Sequence, residues 1–180
     1  GYYNNWNRNK LGISLNLSKP EAIDIVKKLV ELSDVVVENF SPRVLANWGL
    51  DYDNLKKIKP NIIMTSLSAM GQTGPWRDYD GFGSTIQAFS GITYLTAFPG
   101  QPPLGPGTSF VDHIARLMAA VAIPMASEYR RQTGNGQLID NSQLEVMSTL
   151  PGPTLMDYAI DGKLKQPVGN SCPWAAPHGV

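Results

Sequence analysis

The sequence predicts an α/β domain built on a mainly parallel sheet with flanking helices. Two apolar runs, residues 34–38 and 62–67, have the length and β-branched content of buried strands. Segments with the apolar spacing of helices lie between and after them, joined by short connections. Strands that alternate with helices are typical of α/β folds, whose ligands bind at the carboxyl ends of the strands.

The N-terminal part predicts a strand, a helix, a strand and a short helix. Residues 11–17 alternate in polarity, which indicates a short strand with Ile13, Leu15 and Leu17 on one face. Residues 18–21 have the pattern of a capping box with an early proline, so a helix should follow. Its inward residues should be Ile23, Val26, Leu29 and Val30. After the buried strand 34–38, Ser41 and Pro42 should open a short helix that ends at Gly49.

The remaining elements follow the second buried strand. Residues 71–83 form a long loop rich in glycine, proline and aromatic residues, a kind of loop that is often functional. A helix is predicted from about Thr85 to Tyr94, and a long amphipathic helix after Asp112. Residues 133–136 should form a turn and residues 137–140 a short strand. A last helix should run from about Ser142 to Asp161, broken or kinked at one of its prolines.

Composition excludes several classes of protein. The 180 residues carry 15 basic and 15 acidic side chains, so nothing indicates a nucleic-acid partner or a membrane surface. No apolar run is judged long enough to span a bilayer. The single cysteine, Cys172, excludes a disulfide framework and favours a cytoplasmic location, and no spacing of histidine and cysteine predicts a metal site. The chain has no initiator Met, which is typical of an internal segment.

Asp112 is the principal candidate for chemistry. It lies where a loop rich in glycine and proline becomes the long helix. The apolar residues that follow at helical spacing predict the buried face of this helix: Ile114, Leu117, Met118, Val121, Ala122 and Met125. A carboxylate at this position should be held by backbone amides and face the positive end of the helix dipole. Two interpretations stay open from the residues alone: a helix-capping residue, or a carboxylate that acts as a base or as a nucleophile, for example on a thioester carbonyl. His113 is its neighbour, but adjacent helical residues point about 100° apart, which disfavours a direct pair.

Two polar segments have similarly open interpretations. Residues 39–42 follow a buried strand and form either an ordinary strand-to-helix turn or a loop whose amides face a phosphate or carbonyl. Residues 7–10 are a cluster of donors that is either a solvated loop or a binding segment. Neither a phosphate-loop motif nor a dinucleotide-binding glycine motif occurs.

Several separated motifs carry a resemblance to a known family. They are residues 34–42 (DVVVENFSP), 50–52 (LDY), 60–63 (PNII), 66–75 (SLSAMGQTGP), 107–112 (GTSFVD), 131–137 (RQTGNGQ), 169–170 and 176–179. In this order and spacing they resemble the family III CoA-transferases, also called the CaiB/BaiF family. The resemblance implies a Rossmann-like, mainly parallel sheet with flanking helices, as part of the interlocked-dimer fold of these enzymes.

The resemblance also implies a reaction and a site. CoA would pass between an acyl-CoA thioester and a free carboxylic acid through a covalent intermediate on Asp112. No permanently bound cofactor is implied, since coenzyme A is a substrate. The residues implied to contact CoA or line the channel near the thioester are Asn7, Arg8, Asn9, Lys10, Asn39, Phe40, Ser41, Gly81, Phe82 and Gly83.

The sequence departs from parts of the family pattern. Phe82 stands where the racemase branch has a proton-transferring histidine, and Gly83 stands where an acidic residue is usual. Two alternatives therefore accompany CoA transfer: an acyl-CoA racemase or epimerase, and a truncated CoA-binding module without catalysis. Residues 1–165 are expected to be the central part of the large domain, and residues 166–180 the start of a linker to a smaller domain. The full-length protein is expected to be an interlocked homodimer.

Overall fold

The computed structural model describes residues 1–172 and 174–179 and has the predicted α/β architecture. One parallel sheet of order β1-β2-β3 is formed by β1 (Val35–Glu38), β2 (Ile63–Ser66) and β3 (Leu138–Asp140). The helices are α1 (Tyr2–Trp6), α2 (Pro20–Leu32), α3 (Arg43–Asn47), α4 (Tyr52–Ile58), α5 (Gly83–Phe89), α6 (Ile92–Leu95), α7 (Phe110–Thr133), α8 (Gln143–Ser148) and α9 (Gly152–Asp161).

The sheet brings three polar strand ends to one edge. Val36 pairs with Met64, which in turn pairs with Leu138, so the strands run in register. All four residues of β2, the central strand, are buried. Because the strands are parallel, their last residues, Glu38, Ser66 and Asp140, lie at the same edge. The predicted mainly parallel sheet is confirmed.

One face of the sheet is covered by α2, α3 and α4. The core on this side contains Val30 from α2, Leu55 from α4 and Met64 from β2, each at most 3 % exposed. Ile23 and Val26 pack against it, as predicted, but Leu29 is 42 % exposed and lies on the outer side of α2. Burying these side chains contributes about 1.5–3 kcal/mol each, which fixes the helix layer on the sheet.

The other face is covered by α7, which lies on β2 through small side chains. Ala115 and Ala119 pack against Leu67, and Ala126 is 1 % exposed further along the helix. The Asn141 amide, also buried, donates a hydrogen bond to the carbonyl of Ala115 at 3.0 Å. A second cluster joins α5, α7 and α8 through Ile86, Val111 and Met147. Together these contacts fix the start of α7 beside the carboxyl edge of the sheet.

The predicted face of α7 is wrong, although the helix itself is confirmed. Four of the residues predicted to be buried lie on the uncovered side, where Leu117, Met118, Val121 and Met125 are each at least 50 % exposed. Ile114 instead packs against the cluster around Val111. Helical spacing alone cannot tell which side of an apolar helix meets the core, and here the smallest side chains do so. The helix also continues through Pro124, a residue that usually kinks or ends a helix.

Within the described residues α7 is the one helix long and apolar enough to cross a membrane, judged by length and composition alone. The expectation that no apolar run reaches that length is therefore wrong. The core helix of a globular domain passes the same test, and α7 contacts β2, α5 and α8 along its inner side.

The predicted strand at residues 11–17 does not form. No strand pairs with it in the described part of the chain, and a strand without a partner leaves its backbone groups unsatisfied. Leu11 and Ile13 are fully or largely exposed. The capping box at residues 18–21 does not form either, because α2 begins one residue later than predicted, with Lys19 at the cap position and no side-chain cap.

Two further elements differ from expectation. The strand β1 is only partly buried, since it lies at the edge of the sheet and Val37 is 56 % exposed. The helix predicted from Thr85 to Tyr94 is two short helices, because Gly91 adopts a left-handed conformation with φ of 80° between them.

The remaining boundaries follow the prediction. Gly49 and Gly162 follow α3 and α9 with φ of 63° and 70°, the left-handed conformation that ends helices. The last helix is broken between α8 and α9 beside Pro151, as expected. Residues 163–172 and 174–179 contain neither helix nor strand, and the positions Pro173 and Val180 of the predicted linker lie outside the described residues.

Candidate functional site

A cavity of about 1020 Å³ opens at the carboxyl edge of the sheet. Its walls come from three segments: the loop after β1, the residues before and at the start of α5, and the approach to α7 with its first turn. The sequence-predicted residues that line it are Asn39, Phe40, Ser41, Gly81, Phe82, Gly83 and Asp112. The cavity therefore brings Asp112 together with two of the three segments implied to contact CoA or line its channel, 39–41 and 81–83.

Asp112 is the third residue of α7 and its side chain is exposed to the cavity. Its Oδ2 accepts a hydrogen bond from the hydroxyl of Ser109 at 2.5 Å. Ser109 is the cap residue of α7, yet its side chain makes no bond to the helix backbone. The carboxylate is thus held by a side-chain hydroxyl, which corrects the expectation that backbone amides hold it. Oδ1 has no protein partner among the described residues.

Ser109 is itself confined by α5. A Cβ atom placed on Gly83 would lie 2.1 Å from the Ser109 Oγ and 3.1 Å from its Cβ, so only a glycine allows this approach. The backbone N–H of Phe110 donates to Oε1 of Gln87, a side chain of α5 that is 3 % exposed. The first turn of α7 is consequently fixed by α5 on the side that faces the cavity.

The loop that carries Asn39 and Phe40 is held from beneath by two buried side chains. Glu38, 8 % exposed, accepts a hydrogen bond at Oε2 from the N–H of Phe40 at 2.7 Å. Gln143, at the start of α8, donates from Nε2 to Oδ1 of Asn39 at 3.0 Å and to the carbonyl of Leu67 at 2.9 Å. This network connects the ends of β1 and β2 with the start of α8.

The opposite wall is tied to the same loop. The hydroxyl of Ser41 donates to Oδ1 of Asp80 at 2.6 Å, and the guanidinium of Arg43 lies 3.2 Å from Asp78. These bonds hold the long loop 71–82 against α3. Phe82 projects into the open mouth of the cavity, 83 % exposed.

Residues 7–10 do not line the cavity. Asn7 and Lys10 donate hydrogen bonds to backbone carbonyls within α1, of Tyr3 and Trp6 respectively. The Trp6 ring stacks on His113 with centroids 5.1 Å apart, which places this segment beside the first turns of α7. His113 therefore packs on α1, in line with the expectation that it forms no direct pair with Asp112.

The charged side chains that line the cavity are acidic. Among the described residues that line it, the only charged side chains are those of Asp80 and Asp112, and the rest of the polar lining consists of hydroxyl, amide and backbone groups. An anionic substrate group can therefore meet hydrogen-bond donors here but no cation from these residues. No group of three or more His, Cys, Asp or Glu side chains in the described ranges is placed to hold a metal ion.

Sequence reasoning missed three residues of the site. Ser109 was noted only as part of the run before Asp112, and Gln87 and Gln143 were not singled out at all. All three are polar residues whose partners are set by tertiary contacts. For Gln143 the partner Asn39 lies 104 positions away in the chain, so spacing gives no signal.

The chain is similar to known proteins over nearly all of its length. The family model described as CoA-transferase family III matches residues 1–180. The chain is 38 % identical over 173 residues to the alpha subunit of succinyl-CoA–L-malate CoA-transferase of Chloroflexus aurantiacus, covering 96 % of this chain and 40 % of that protein. It is 35 % identical over 179 residues to succinate–glutarate CoA-transferase of Agrobacterium fabrum, covering 99 % and 45 %.

Another relative and one crystal structure extend the comparison. Acetyl-CoA:oxalate CoA-transferase of Acetobacter aceti is 36 % identical over 180 residues, covering 99 % of this chain and 46 % of the relative. The crystal structure of a CAIB/BAIF family protein from Brucella suis superposes with a TM-score of 0.90 at 37 % identity, covering 95 % of this chain and 45 % of that one. The chain thus spans less than half the length of these relatives.

Proposed function

Because the chain belongs to CoA-transferase family III, we propose that it forms the nucleophile-bearing part of a site that transfers CoA from an acyl-CoA thioester to a free carboxylic acid. The observation that carries the proposal is the position of Asp112. Its carboxylate faces a cavity of about 1020 Å³, and one of its oxygens has no partner among the protein residues that the structure describes. Such a cavity is large enough for the acyl end and thiol arm of CoA.

Asp112 acts as the covalent carrier. Its free oxygen attacks the thioester carbonyl, the C–S bond breaks, and a mixed aspartyl anhydride and a CoA thiolate result. The thiolate attacks the aspartyl Cγ and releases the donor acid as a carboxylate. The acceptor acid repeats these steps in reverse, which restores Asp112 and forms the new acyl-CoA. No net proton, electron or water is consumed, so positioning the reactants is the main task of the protein.

Phe82 supports transfer over racemisation. A racemase needs a second group that accepts or donates a proton at the carbon next to the thioester. Phe82 cannot do so, and it stands where the proton-transferring histidine of the racemase branch would be. Its exposed ring at the cavity mouth offers an apolar contact for the acyl chain or thiol arm instead.

The substrates proposed are short dicarboxylic acids as acceptors and CoA thioesters of short acids as donors. Relatives at 35–38 % identity carry names that pair succinyl-CoA with malate, succinate with glutarate and acetyl-CoA with oxalate. Since the cavity residues described offer no cation, the second carboxylate of such an acid would be held by hydroxyl and amide donors or by parts of the site outside this segment. Assaying the full-length protein with matched mono- and dicarboxylic acids tests this choice, and a preference for monocarboxylic acids contradicts it.

The remaining assignments extend the same proposal. Residues 39–41 and 81–83 would contact CoA inside the cavity, while residues 7–10 would contact its outer part. The segment 1–165 would belong to the large domain, with 166–180 leading to a smaller one, and the full-length protein would be an interlocked homodimer. The uncovered apolar side of α7, with Leu117, Val121 and Met125 exposed, supports a covering subunit. Sedimentation of the full-length protein tests the dimer, and a monomer at micromolar concentration contradicts it.

Replacing the nucleophile tests the mechanism. Asp112→Asn in the full-length protein keeps the size of the side chain but removes its nucleophilic charge, so transfer should fall by at least about 10⁴-fold. Intact mass of the wild-type protein mixed with acyl-CoA should show an aspartyl-CoA adduct that the variant lacks. Transfer by Asp112→Asn at a rate near that of the wild type would overturn the assignment.

A further inference from the structure

We propose that the Ser109 hydroxyl is a catalytic hydrogen-bond donor: it holds one oxygen of the Asp112 carboxylate and then donates to the oxyanion that forms on the aspartyl carbonyl. This inference rests on the proposed function, because it assigns a role within the aspartyl pathway. The first observation is the 2.5 Å hydrogen bond from Ser109 Oγ to Asp112 Oδ2.

The arrangement divides the two oxygens of the carboxylate between two tasks. With Oδ2 bound to Ser109, Oδ1 is the oxygen left to attack the thioester carbonyl. After attack, Oδ1 becomes the bridging oxygen of the anhydride and Oδ2 becomes the aspartyl carbonyl oxygen. The hydroxyl of Ser109 is then already within hydrogen-bond distance of the carbonyl that the CoA thiolate must attack.

The charge that develops in that attack falls on the same atom. When the thiolate adds to Cγ, the π electrons of the carbonyl move to Oδ2, and the C–O bond to the donor acid then breaks. A donor fixed in advance at this oxygen stabilises the tetrahedral intermediate without further rearrangement. The attack of the acceptor acid on the aspartyl-CoA thioester develops charge on the same oxygen, so Ser109 serves both steps at Cγ.

The surroundings of Ser109 fit this role better than ordinary helix capping. A capping serine accepts a hydrogen bond from a backbone amide of the first turn, yet the Ser109 side chain makes no such bond. Gly83 leaves the space that its hydroxyl occupies, since a Cβ there would lie 2.1 Å from Oγ. A backbone N–H of the first turn, that of Phe110, donates to the side chain of Gln87 and not to Ser109. The hydroxyl is therefore directed to Asp112 by neighbours on α5.

This geometry gives a structural reason for a glycine at position 83. An acidic or any other side chain at this position would displace the Ser109 hydroxyl from its place. The two residues act as a pair, in which the absence of a side chain on α5 permits a donor on α7. Changing either one should disturb the same step.

The test compares variants of the full-length protein. Ser109→Ala should lower kcat about 100-fold with little change in KM for the acyl-CoA, as expected on loss of one oxyanion donor. The aspartyl-CoA adduct, formed first and then mixed with acceptor acid, should decay more slowly by a similar factor, followed by rapid quench and intact mass. Ser127→Ala is the matched control, because this serine of the same helix bonds only the carbonyl of Ile123.

Gly83→Ala provides a second, independent perturbation. The added methyl should displace the Ser109 hydroxyl and slow adduct decay in the wild-type background, but should cost much less in Ser109→Ala, since coupled residues give non-additive effects. The midpoint temperature of thermal unfolding should be the same for Ser109→Ala and Ser127→Ala to within a few degrees.

The outcomes separate this inference from the proposed function. If Asp112→Asn is inactive while Ser109→Ala forms and discharges the adduct at the wild-type rate, the role of Ser109 is wrong and the aspartyl pathway stands. If Gly83→Ala slows decay equally with and without Ser109, the pairing of these residues is wrong. If Asp112→Asn still transfers CoA, both proposals are wrong.

Discussion

The carboxylate of Glu38 bends back onto its own loop, where Oε2 accepts the N–H of Phe40 at 2.7 Å. Its other oxygen lies 3.4 Å from Nε2 of Gln72. A side chain at the last position of β1 thus determines the direction in which Phe40 leaves the sheet and enters the cavity wall. The two residues are only two positions apart in the chain, and their hydrogen bond fixes Phe40, a residue proposed to contact CoA.

Glu38→Ala should loosen this loop. Loss of a buried, charged acceptor should lower the free energy of unfolding by about 1.5–3 kcal/mol, and KM for acyl-CoA should rise more than kcat falls, because the loop binds rather than reacts. Urea unfolding and steady-state kinetics of the full-length protein measure both. The exposed Glu31→Ala is the control, and an equal effect of the two variants would contradict the role of Glu38.

Gln143→Ala should loosen the same wall from the side of α8. It leaves the buried carbonyl of Leu67 and the amide oxygen of Asn39 without their donor, so a loss of about 1–3 kcal/mol is expected on unfolding. The variant should also bind CoA more weakly, which calorimetry can measure. The exposed Gln101→Ala serves for comparison and should leave both quantities unchanged.

Gly136→Ala should disturb the sheet itself. A Cβ at Gly136 would lie 2.0 Å from the carbonyl oxygen of Ile62 and 2.5 Å from the carbonyl carbon of Asn61, both backbone atoms that cannot rotate away. The strands β2 and β3 must separate to admit it, which should cost about 1–3 kcal/mol or more. Gly152→Ala meets nothing within 4 Å, and its unfolding midpoint should stay close to that of the wild type.

The ion pair of Glu128 and Arg131 should stabilise the fold by a small amount that depends on pH. Hydrogen bonds from Arg131, and then from Gln132, hold the pKa of the Glu128 carboxyl below its ordinary value of 4.5. A lowered folded pKa means that the stabilisation is present above pH 4.5 and disappears as the pH falls through the folded pKa. Arg131→Ala should therefore shift the unfolding midpoint at pH 7, and by progressively less as the pH is lowered below 4.5. An equal shift at every pH would argue against this interaction.

The sequence predicted those elements whose signals are local. Strand β2 begins in the apolar run of Ile62, Ile63 and Met64, and the long helix α7 has sustained periodicity. Gly49 and Gly162 end helices through their own left-handed conformation. The predicted strand at 11–17 failed for a different reason. Alternation describes a segment that would suit a sheet, but a strand exists only where another strand satisfies its backbone groups.

The residues of the candidate site likewise fall into two groups, those that the sequence indicated and those that it did not. Asp112 and residues 39–41 belong to motifs that carry the family resemblance, and the resemblance also implied residues 81–83. The fold brings these residues to one cavity. The residues that orient them were not found. Whether a serine or glutamine is solvated or holds a neighbour depends on packing between distant segments, and its residue type is the same in both cases.

The buried alanines on the inner side of α7, Ala115, Ala119 and Ala126, have a consequence for reactivity. Alanine has no side-chain torsion that could rearrange, so the separation between α7 and β2 is set by the backbones themselves. A larger residue at Ala115 or Ala119 would displace the helix as a rigid rod, and Asp112 would move with it. Substitutions that touch neither substrate nor nucleophile can therefore change the distance over which the nucleophile attacks. The activity of the site should respond to the volume of side chains that never reach it.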